Sequence, residues 1–358
     1  MKIDDKTSHN SPSLRFPEFT GEWEECKIED ITDAVSSGKS KNHFSNGEYN
    51  LYGSTGIIGR TDKALYDGKL VLVARVGANA GFLQIINEPC GITDNTLILK
   101  PKGIDAFYLY YFLQHFNLNR LIFGSGQPLI TGGMLKKVKV SLGTISEQSK
   151  IVKFLSLLDE RIAVQSRLIE DLKKFKCAVS NKLFQSVKGV VIPLSGISNI
   201  VKGKQINGDF LAEVGEYYVM NGGTEPSGYY DNYNVEANTI SISEGGNSCG
   251  YVQFNRMPFW SGGHCYTIQD IVSDVETLYL YHYLKSKEDS IMKLRIGTGL
   301  PNIQKKDLAE FKVIIPAIEQ QRTISNILSL LERKTEIEGR MLIAMRTEKQ
   351  YLLHQMFI

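Results

Sequence analysis

Two stretches of this chain repeat a largely apolar position every three or four residues for more than thirty residues. Positions 151, 155, 158, 162, 165, 169, 172, 176, 179 and 183 advance alternately by four and three. They carry Ile, Leu, Leu, Ile, Gln, Ile, Leu, Lys, Val and Leu, with polar residues between them. Positions 324, 328, 331, 335, 338, 342, 345, 349, 352 and 356 read Ile, Leu, Leu, Thr, Glu, Leu, Met, Lys, Leu and Met. A sustained 3.5-residue period with polar flanks is the seam of a coiled coil. The apolar seam is Ile151, Leu155, Leu158, Ile162, Ile169 and Leu172 in the first run, and Ile324, Leu328, Leu331, Leu342, Met345 and Leu352 in the second. Each helix would be roughly 50 Å long at 1.5 Å per residue. Two ordinary amphipathic core helices are the plainer alternative; length and duplication favour a spacer pair. Gln165 and Glu338 share one seam layer, Lys176 and Lys349 another. Polar residues in a seam cost stability and can fix register and partner choice. An antiparallel pair would put the preceding units at opposite ends and a parallel pair would put both at one end. A compact single-chain twofold favours the antiparallel arrangement.

The duplication extends beyond the helices. Gly124-Ser-Gly-Gln-Pro-Leu-Ile130 returns 173 residues later as Gly297-Thr-Gly-Leu-Pro-Asn-Ile303, and the register then holds to the end, with Phe184 matching Phe357. Leu70–Ala74 and Thr96–Leu99 have the short apolar, β-rich character of buried strands, and Phe107–Phe116 reads as an aromatic helix. Ile240–Ser243 and Leu278–Leu284 answer them in a second, weaker round. The fold class expected is α+β: two homologous mixed α/β units separated by two long helices that form an antiparallel coiled coil, pseudo-twofold. The boundaries expected are a disordered segment 1–12, a first unit 13–143, its helix 144–186, a second unit 187–316 and its helix 317–358. Shared helices and divergent heads suggest one frame carrying two recognition surfaces.

A formal charge of +2 gives no bulk signal for nucleic acid, so any basic face must be local, as in Lys136-Lys137-Val-Lys139 or Lys173-Lys174-Phe-Lys176. Five cysteines without a CxxC spacing suit free thiols in a reducing cytosol. The polar N-terminus argues against a secretory leader, and the lack of a long apolar run argues against a membrane span, so the chain is expected in the cytoplasm. The search for catalytic chemistry mostly fails. Gly38-Lys39-Ser40 looks like the tail of a phosphate-binding loop, but Asp33 stands where that motif needs glycine. Asp67-Gly-Lys69 reads as a turn. His264-Cys265 is adjacent rather than spaced for a tetrahedral metal. No HExxH, GxSxG, GxGxxG or Asn/Asp-Pro-Pro-Tyr occurs. No metal site and no cofactor are expected in this chain.

What remains is binding chemistry. Ser36–His43 and Lys202–Asn207 occupy similar places in the two units, as do Tyr52–Arg60 and Asn221–Tyr230, and Gly77–Gly81 and Gly246–Gly250. Lysines and glycine-loop amides suit phosphates, whereas Asn, Gln, Arg and Lys suit base edges in the major groove. The DNA-contacting candidates are Lys39, Lys41, Tyr52, Ser54, Thr55, Arg60, Asn79 and Gln127 in the first unit. In the second they are Lys204, Gln205, Asn207, Asn221, Thr224, Tyr229, Asn247 and Ser248. The Gly-x-Gly-x-Pro-x-Ile loops could touch a DNA backbone or merely turn the chain toward the spacer helix.

These residues, taken in order, resemble one family. Leu14-Arg-Phe-Pro-Glu-Phe-Thr-Gly-Glu-Trp-Glu-Glu25 looks like its opening. The Gly-x-Gly-x-Pro-x-Ile loop followed by Ile145-Ser-Glu-Gln-Ser-Lys-Ile151, and Ile315-Pro-Ala-Ile-Glu-Gln-Gln-Arg322 before the last helix, look like its central and C-terminal regions. The chain resembles, over essentially its whole length, the specificity subunit of type I restriction–modification systems. It departs at Leu142-Gly143, where the second copy has the more usual Ile315-Pro316. The resemblance implies two target recognition domains, each reading one half of a split sequence in double-stranded DNA. It implies helices that space them and dock two modification (methyltransferase) subunits, with two ATP-dependent restriction subunits completing the complex. S-adenosylmethionine, ATP and Mg would then belong to those partners. Half-sites on one DNA face lie about 34–36 Å apart per helical turn, within reach of such a spacer, whose length should set the unread gap. A self-contained nuclease or methyltransferase would need residues not found here. A coiled-coil scaffold with protein-binding heads would show no salt-dependent DNA affinity.

Overall fold

The computed structural model describes residues 11–41, 46–123, 128–297, 299 and 301–358. The chain divides into two compact units: residues 1–166 with 340–358, and residues 167–339.

The first unit contains β1 (Glu24–Lys27), β2 (Thr32–Ser37), β3 (Tyr49–Gly53), β4 (Gly56–Thr61), β5 (Lys69–Ala74), β6 (Leu83–Asn87), β7 (Cys90–Ile92) and β8 (Thr96–Pro101). α1 (Ala106–Phe116), α2 (Gly132–Lys136), β9 (Lys139–Leu142) and the start of α3 (Ile145–Ser186) follow. An antiparallel sheet runs β2-β8-β5-β6, a smaller one runs β4-β3-β7, and β1 pairs with β9. β5 is apolar on both faces because both are covered. Val71 and Val73 enter the core under α1, while Leu70 and Leu72 join Ile86, Cys90, Ile92 and Ile98 toward the smaller sheet. Side chains alternate across a strand, so one strand feeds two cores. Asp105 caps α1 by accepting the Phe107 amide at 2.7 Å.

The second unit repeats this order. It has β10 (Val190–Pro193), β11 (Asn199–Lys202), β12 (Tyr217–Met220), β13 (Tyr229–Tyr230), β14 (Thr239–Ser243), β15 (Val252–Asn255), β16 (Trp260–Ser261) and β17 (Cys265–Gln269). α4 (Thr277–Ser286), α5 (Glu288–Met292), α6 (Lys305–Ala309), β18 (Lys312–Ile315) and the start of α7 (Ile318–Met356) follow. The sheets run β11-β17-β14-β15 and β13-β12-β16, and β10 pairs with β18. Here the second face of the central strand is polar. Ile240 and Ile242 enter the core, whereas Ser241 bonds the buried Asn255 and Ser243 bonds the Gly222 carbonyl. That polar face is why the two central strands share a shape and so little sequence.

In each unit two helical segments run antiparallel. The first half of α3 lies with the last half of α7 in one unit, and the last half of α3 with the first half of α7 in the other. All twenty seam positions are buried or partly buried. The matched phenylalanines are plugs: Phe357 packs on Tyr108 and Phe112 of α1, Phe184 on Tyr279 and Tyr283 of α4. The matched lysines close matched ion pairs, Lys349 with Asp159 and Lys176 with Glu332, each at 2.6 Å. Around each pair the polar set is copied with one change. Tyr111 reaches Ser156 and Asp159, whereas His282 reaches Ser329 and the neighbouring Tyr281 takes Glu332. Burial alone would raise the Glu332 carboxyl, but Lys176 and the Tyr281 hydroxyl outweigh it and hold it below the ordinary range.

His282 is 3 % exposed, and burial pushes its pKa from 6.5 down to about 4. It is therefore neutral when folded, while the unfolded chain takes up its proton first as pH falls. Stability is thus full above about 6.5 and is lost progressively as pH drops toward 4, about 3 kcal/mol in all. Glu332, with its depressed pKa, adds a loss only at lower pH. His282→Tyr, which installs the residue that takes the equivalent serine in the other unit, should flatten melting temperature against pH between 6.5 and 5. An unchanged slope in that variant would place the acid sensitivity elsewhere.

Candidate nucleic-acid interface

One end of the main sheet collects most of the polar loops in each unit. In the first unit β2 and β5 end there and β6 and β8 begin there. The chain leaves β2 through Gly38, whose amide donates to the Thr96 carbonyl at 3.0 Å. A Cβ at Gly38 would lie 2.3 Å from the Ile92 and Thr93 carbonyl oxygens, so only glycine passes. In the second unit Gly203 donates to the Cys265 carbonyl, and a Cβ there would meet Gly262 O at 2.2 Å. The glycine of the phosphate-loop lookalike is thus a crossing point. It delivers Lys39 and Lys41 in one unit, and Lys204 and Gln205 in the other, to the sheet end as exposed residues. Lys39, Lys41 and Lys63 line one cavity of about 410 Å³.

Beside each crossing lies the turn after the central strand. Gly77 and Gly81 both have positive φ, as do Gly246 and Gly250. Their hydrogen bonds coincide. Gly81 N donates to Ala74 O and Gly250 N to Ser243 O, while Gly77 N donates to Pro128 O and Gly246 N to Pro301 O. Ile130 N and Ile303 N return to the carbonyls of Arg75 and Glu244 at 2.9 and 2.8 Å, with both isoleucine side chains fully buried. The Gly-x-Gly-x-Pro-x-Ile repeat therefore has a role read in neither sequence alternative. Its Pro carbonyl and its Ile clamp the strand-end turn and fix which way that turn points. Gln127 lies outside the described residues, as do residues 124–126, 298 and 300 of the repeat.

The candidates fall into two groups. Lys39, Lys41 and Asn79, and Lys204, Gln205, Asn247 and Ser248, stand on the two loops at the sheet end, where Asn79 and Asn247 are exposed. Asn221 reaches the same place and accepts the His264 amide at 3.2 Å. Ser54 and Thr55 turn the β3–β4 hairpin, and Arg60 lies exposed on β4. β3 touches the sheet end where Thr93 N donates to Tyr52 O. Thr224 is exposed in the turn after β12, and Tyr229 is half-buried on β13. Two side chains are committed elsewhere. Tyr52 donates to Glu88 at 2.7 Å, and burial pushes its hydroxyl up to about 12. Asn207 caps the turn Gly208–Phe210 and bonds Asp209.

Sequence reasoning passed over the residue that immediately follows each central strand, Arg75 and Glu244. Glu244 accepts from Lys202 Nζ at 2.6 Å and from the Tyr266 hydroxyl at 3.1 Å. Its Oε2 is buried without a hydrogen-bond partner, with His264 Nδ1 3.7 Å away. Arg75 Nε is also buried without a partner. The signal was present as a charge set directly after a run of strand residues, in Leu-Val-Leu-Val-Ala-Arg75 and Thr-Ile-Ser-Ile-Ser-Glu244. His264 belongs to this rim, and among the described residues no group of three or more His, Cys, Asp or Glu is placed to hold a metal ion. Among them, too, no helix is long and apolar enough to cross a membrane.

The family model for the type I restriction modification DNA specificity domain matches residues 20–174 and again residues 187–344. A putative type I specificity subunit of Mycoplasma genitalium is 25% identical over 333 residues, covering 87% of each chain. One from Mycoplasma pneumoniae is 31% identical over 166 residues, 46% of this chain and 44% of the other. The crystal structure of a type I restriction–modification S subunit from M. genitalium superposes with a TM-score of 0.73 at 23% identity, covering 97% of this chain and 99% of that one.

Proposed function

Because the chain belongs to the type I restriction modification DNA specificity family, we propose that it chooses the DNA sequence on which a multi-subunit methylating and cleaving complex acts. Each unit reads one half of a split target with the loops at its sheet end, and the long helices set the distance between the halves. The observation that carries this reading is the copied clamp with unlike side chains. Both units fix the turns with the same hydrogen bonds, yet present Lys39, Arg75 and Asn79 in one and Lys204, Glu244, Asn247 and Ser248 in the other. A pure scaffold has no use for a conserved geometry with divergent polar tips.

The partners follow from the helices. Facing away from the seam, Leu157 and Leu330, Val164 and Ile337, and Leu168 and Met341 are exposed apolar residues at matched positions in α3 and α7. Apolar side chains repeated along an exposed helix face favour contact with another helix. The duplication supports two modification subunits, one for each copy, with two restriction subunits joining them. Methyl transfer and cleavage, with S-adenosylmethionine, ATP and Mg, belong to those partners.

The test maps methylated adenine in DNA from cells that make the whole complex, with and without this chain. A two-part motif with a fixed gap, lost when the chain is removed, is expected. Methylation that persists unchanged without the chain would overturn the reading.

A further inference from the structure

Arg75 and Glu244 hold the same place in the two units. Each follows the central strand, each takes its amide bond from the turn before β8 or β17 (Arg75 N to Asn95 O, Glu244 N to His264 O), and each gives its carbonyl to the clamping isoleucine. Their charges are opposite. Burying a charged group without satisfying it is costly, and an orphaned buried polar atom calls for a reason. Both residues carry one: Arg75 Nε and Glu244 Oε2. No ion pair or side-chain hydrogen bond to Arg75 is found among the described residues, and the residue stays partly open. Glu244 has one oxygen engaged by Lys202 and Tyr266 and the other idle beneath His264, whose side chain is 63 % exposed.

We propose that this pair is the specificity-determining position of the two units, Arg75 reading a guanine and Glu244 a cytosine, so that the halves of the target differ by what stands after the central strand. This rests on the DNA-reading function proposed above. An arginine fork matches the two acceptors, O6 and N7, on the major-groove edge of guanine. A carboxylate oxygen with a free lone pair matches the exocyclic amine of cytosine, which only donates. His264 stands over the idle oxygen and, being largely exposed, can turn aside, while Lys202 holds the other oxygen at 2.6 Å and so keeps the side chain aimed. The clamp makes the position exact to within one backbone frame in both units, which loops held only at their ends would not do.

The experiment selects from duplexes of randomised sequence with the full chain assembled with its modification subunits. Wild type should enrich a two-part sequence. Arg75→Gln should alter one base pair in one half, weakening its guanine preference by roughly tenfold or more in favour of adenine, which a Gln amide reads. The other half should not change. Glu244→Gln should move one cytosine toward adenine in the other half alone. Arg75→Lys keeps the charge and most of the stem and loses the fork, so it should relax the same guanine with little effect on melting temperature. An unchanged selected sequence in Arg75→Gln and Glu244→Gln would overturn the proposal, as would equal weakening on every sequence, which marks a phosphate contact. A wild-type complex that enriches nothing would overturn the DNA reading itself, a result distinct from either.

Discussion

Seven residues added to each long helix, one insertion after Ser166 and one after Gly339, should widen the unread gap of the target by about three base pairs. Seven residues at 1.5 Å add about 10.5 Å of helix, and a base-pair step is about 3.4 Å. The size of the insertion follows from the seam. Every seam position of both helices is shielded, and seven residues restore the 3.5-residue register that four residues would shift. The place follows from the division of the chain, since an insertion there leaves the contacts within each unit as they are, including the Lys176–Glu332 and Lys349–Asp159 pairs. The original site, engaged by one unit at a time, should lose affinity on the order of a thousandfold, the lower end of the usual margin of specific over non-specific binding. Selection from duplexes with a variable gap reads both effects. An unchanged preferred gap would mean that the helices do not measure the target.

The parts visible in the sequence were those with a period or a copy. The seam showed because ten positions per helix obey one spacing, and the heads showed through strands such as Leu70–Ala74, whose apolar run requires cover on both faces. The partners of the seam lysines did not show. Asp159 and Glu332 each lie one position beyond the seam leucines Leu158 and Leu331, and only the antiparallel register brings Lys349 and Lys176 to them. The loops at the sheet end were legible as glycine-rich and polar, but the contacts of their individual side chains were not. Tyr52 reads as a DNA-contacting candidate until its hydroxyl is seen to serve Glu88. Arg75 and Glu244 were hidden because their equivalence depends on aligning two strands with different second faces. Residue type alone cannot say which polar side chains are free.

Arg15→Ala should destabilise the first unit by about 3 kcal/mol or more, the usual cost of stripping one partner from a buried ion pair. The Glu147 side chain is fully buried, and Arg15 grips both of its oxygens at 2.6 and 2.8 Å. Trp23 Nε1 adds a third bond at 3.1 Å. The departure at Gly143 has its explanation here. A Cβ at that position would lie 2.4 Å from Glu147 Oε2 and 2.8 Å from Trp23 Nε1, so glycine makes room for the buried carboxylate. In the second copy the position of Glu147 is taken by the exposed Gln320, no carboxylate needs the space, and Pro316 stands where Gly143 would be. The chain's opening segment is thereby part of the foundation on which α3 starts. Without the guanidinium, the buried Glu147 side chain loses both Arg15 bonds and keeps the Trp23 donor, and a buried polar group so stripped lowers stability. Glu147→Gln in the Arg15→Ala background removes the stranded charge and should recover most of the loss, because Trp23 can still donate to the amide oxygen. Urea unfolding of the single and double variants measures the difference, and an Arg15→Ala protein within about 0.5 kcal/mol of wild type, the range of ordinary surface substitutions, would show that this pair does not anchor the unit.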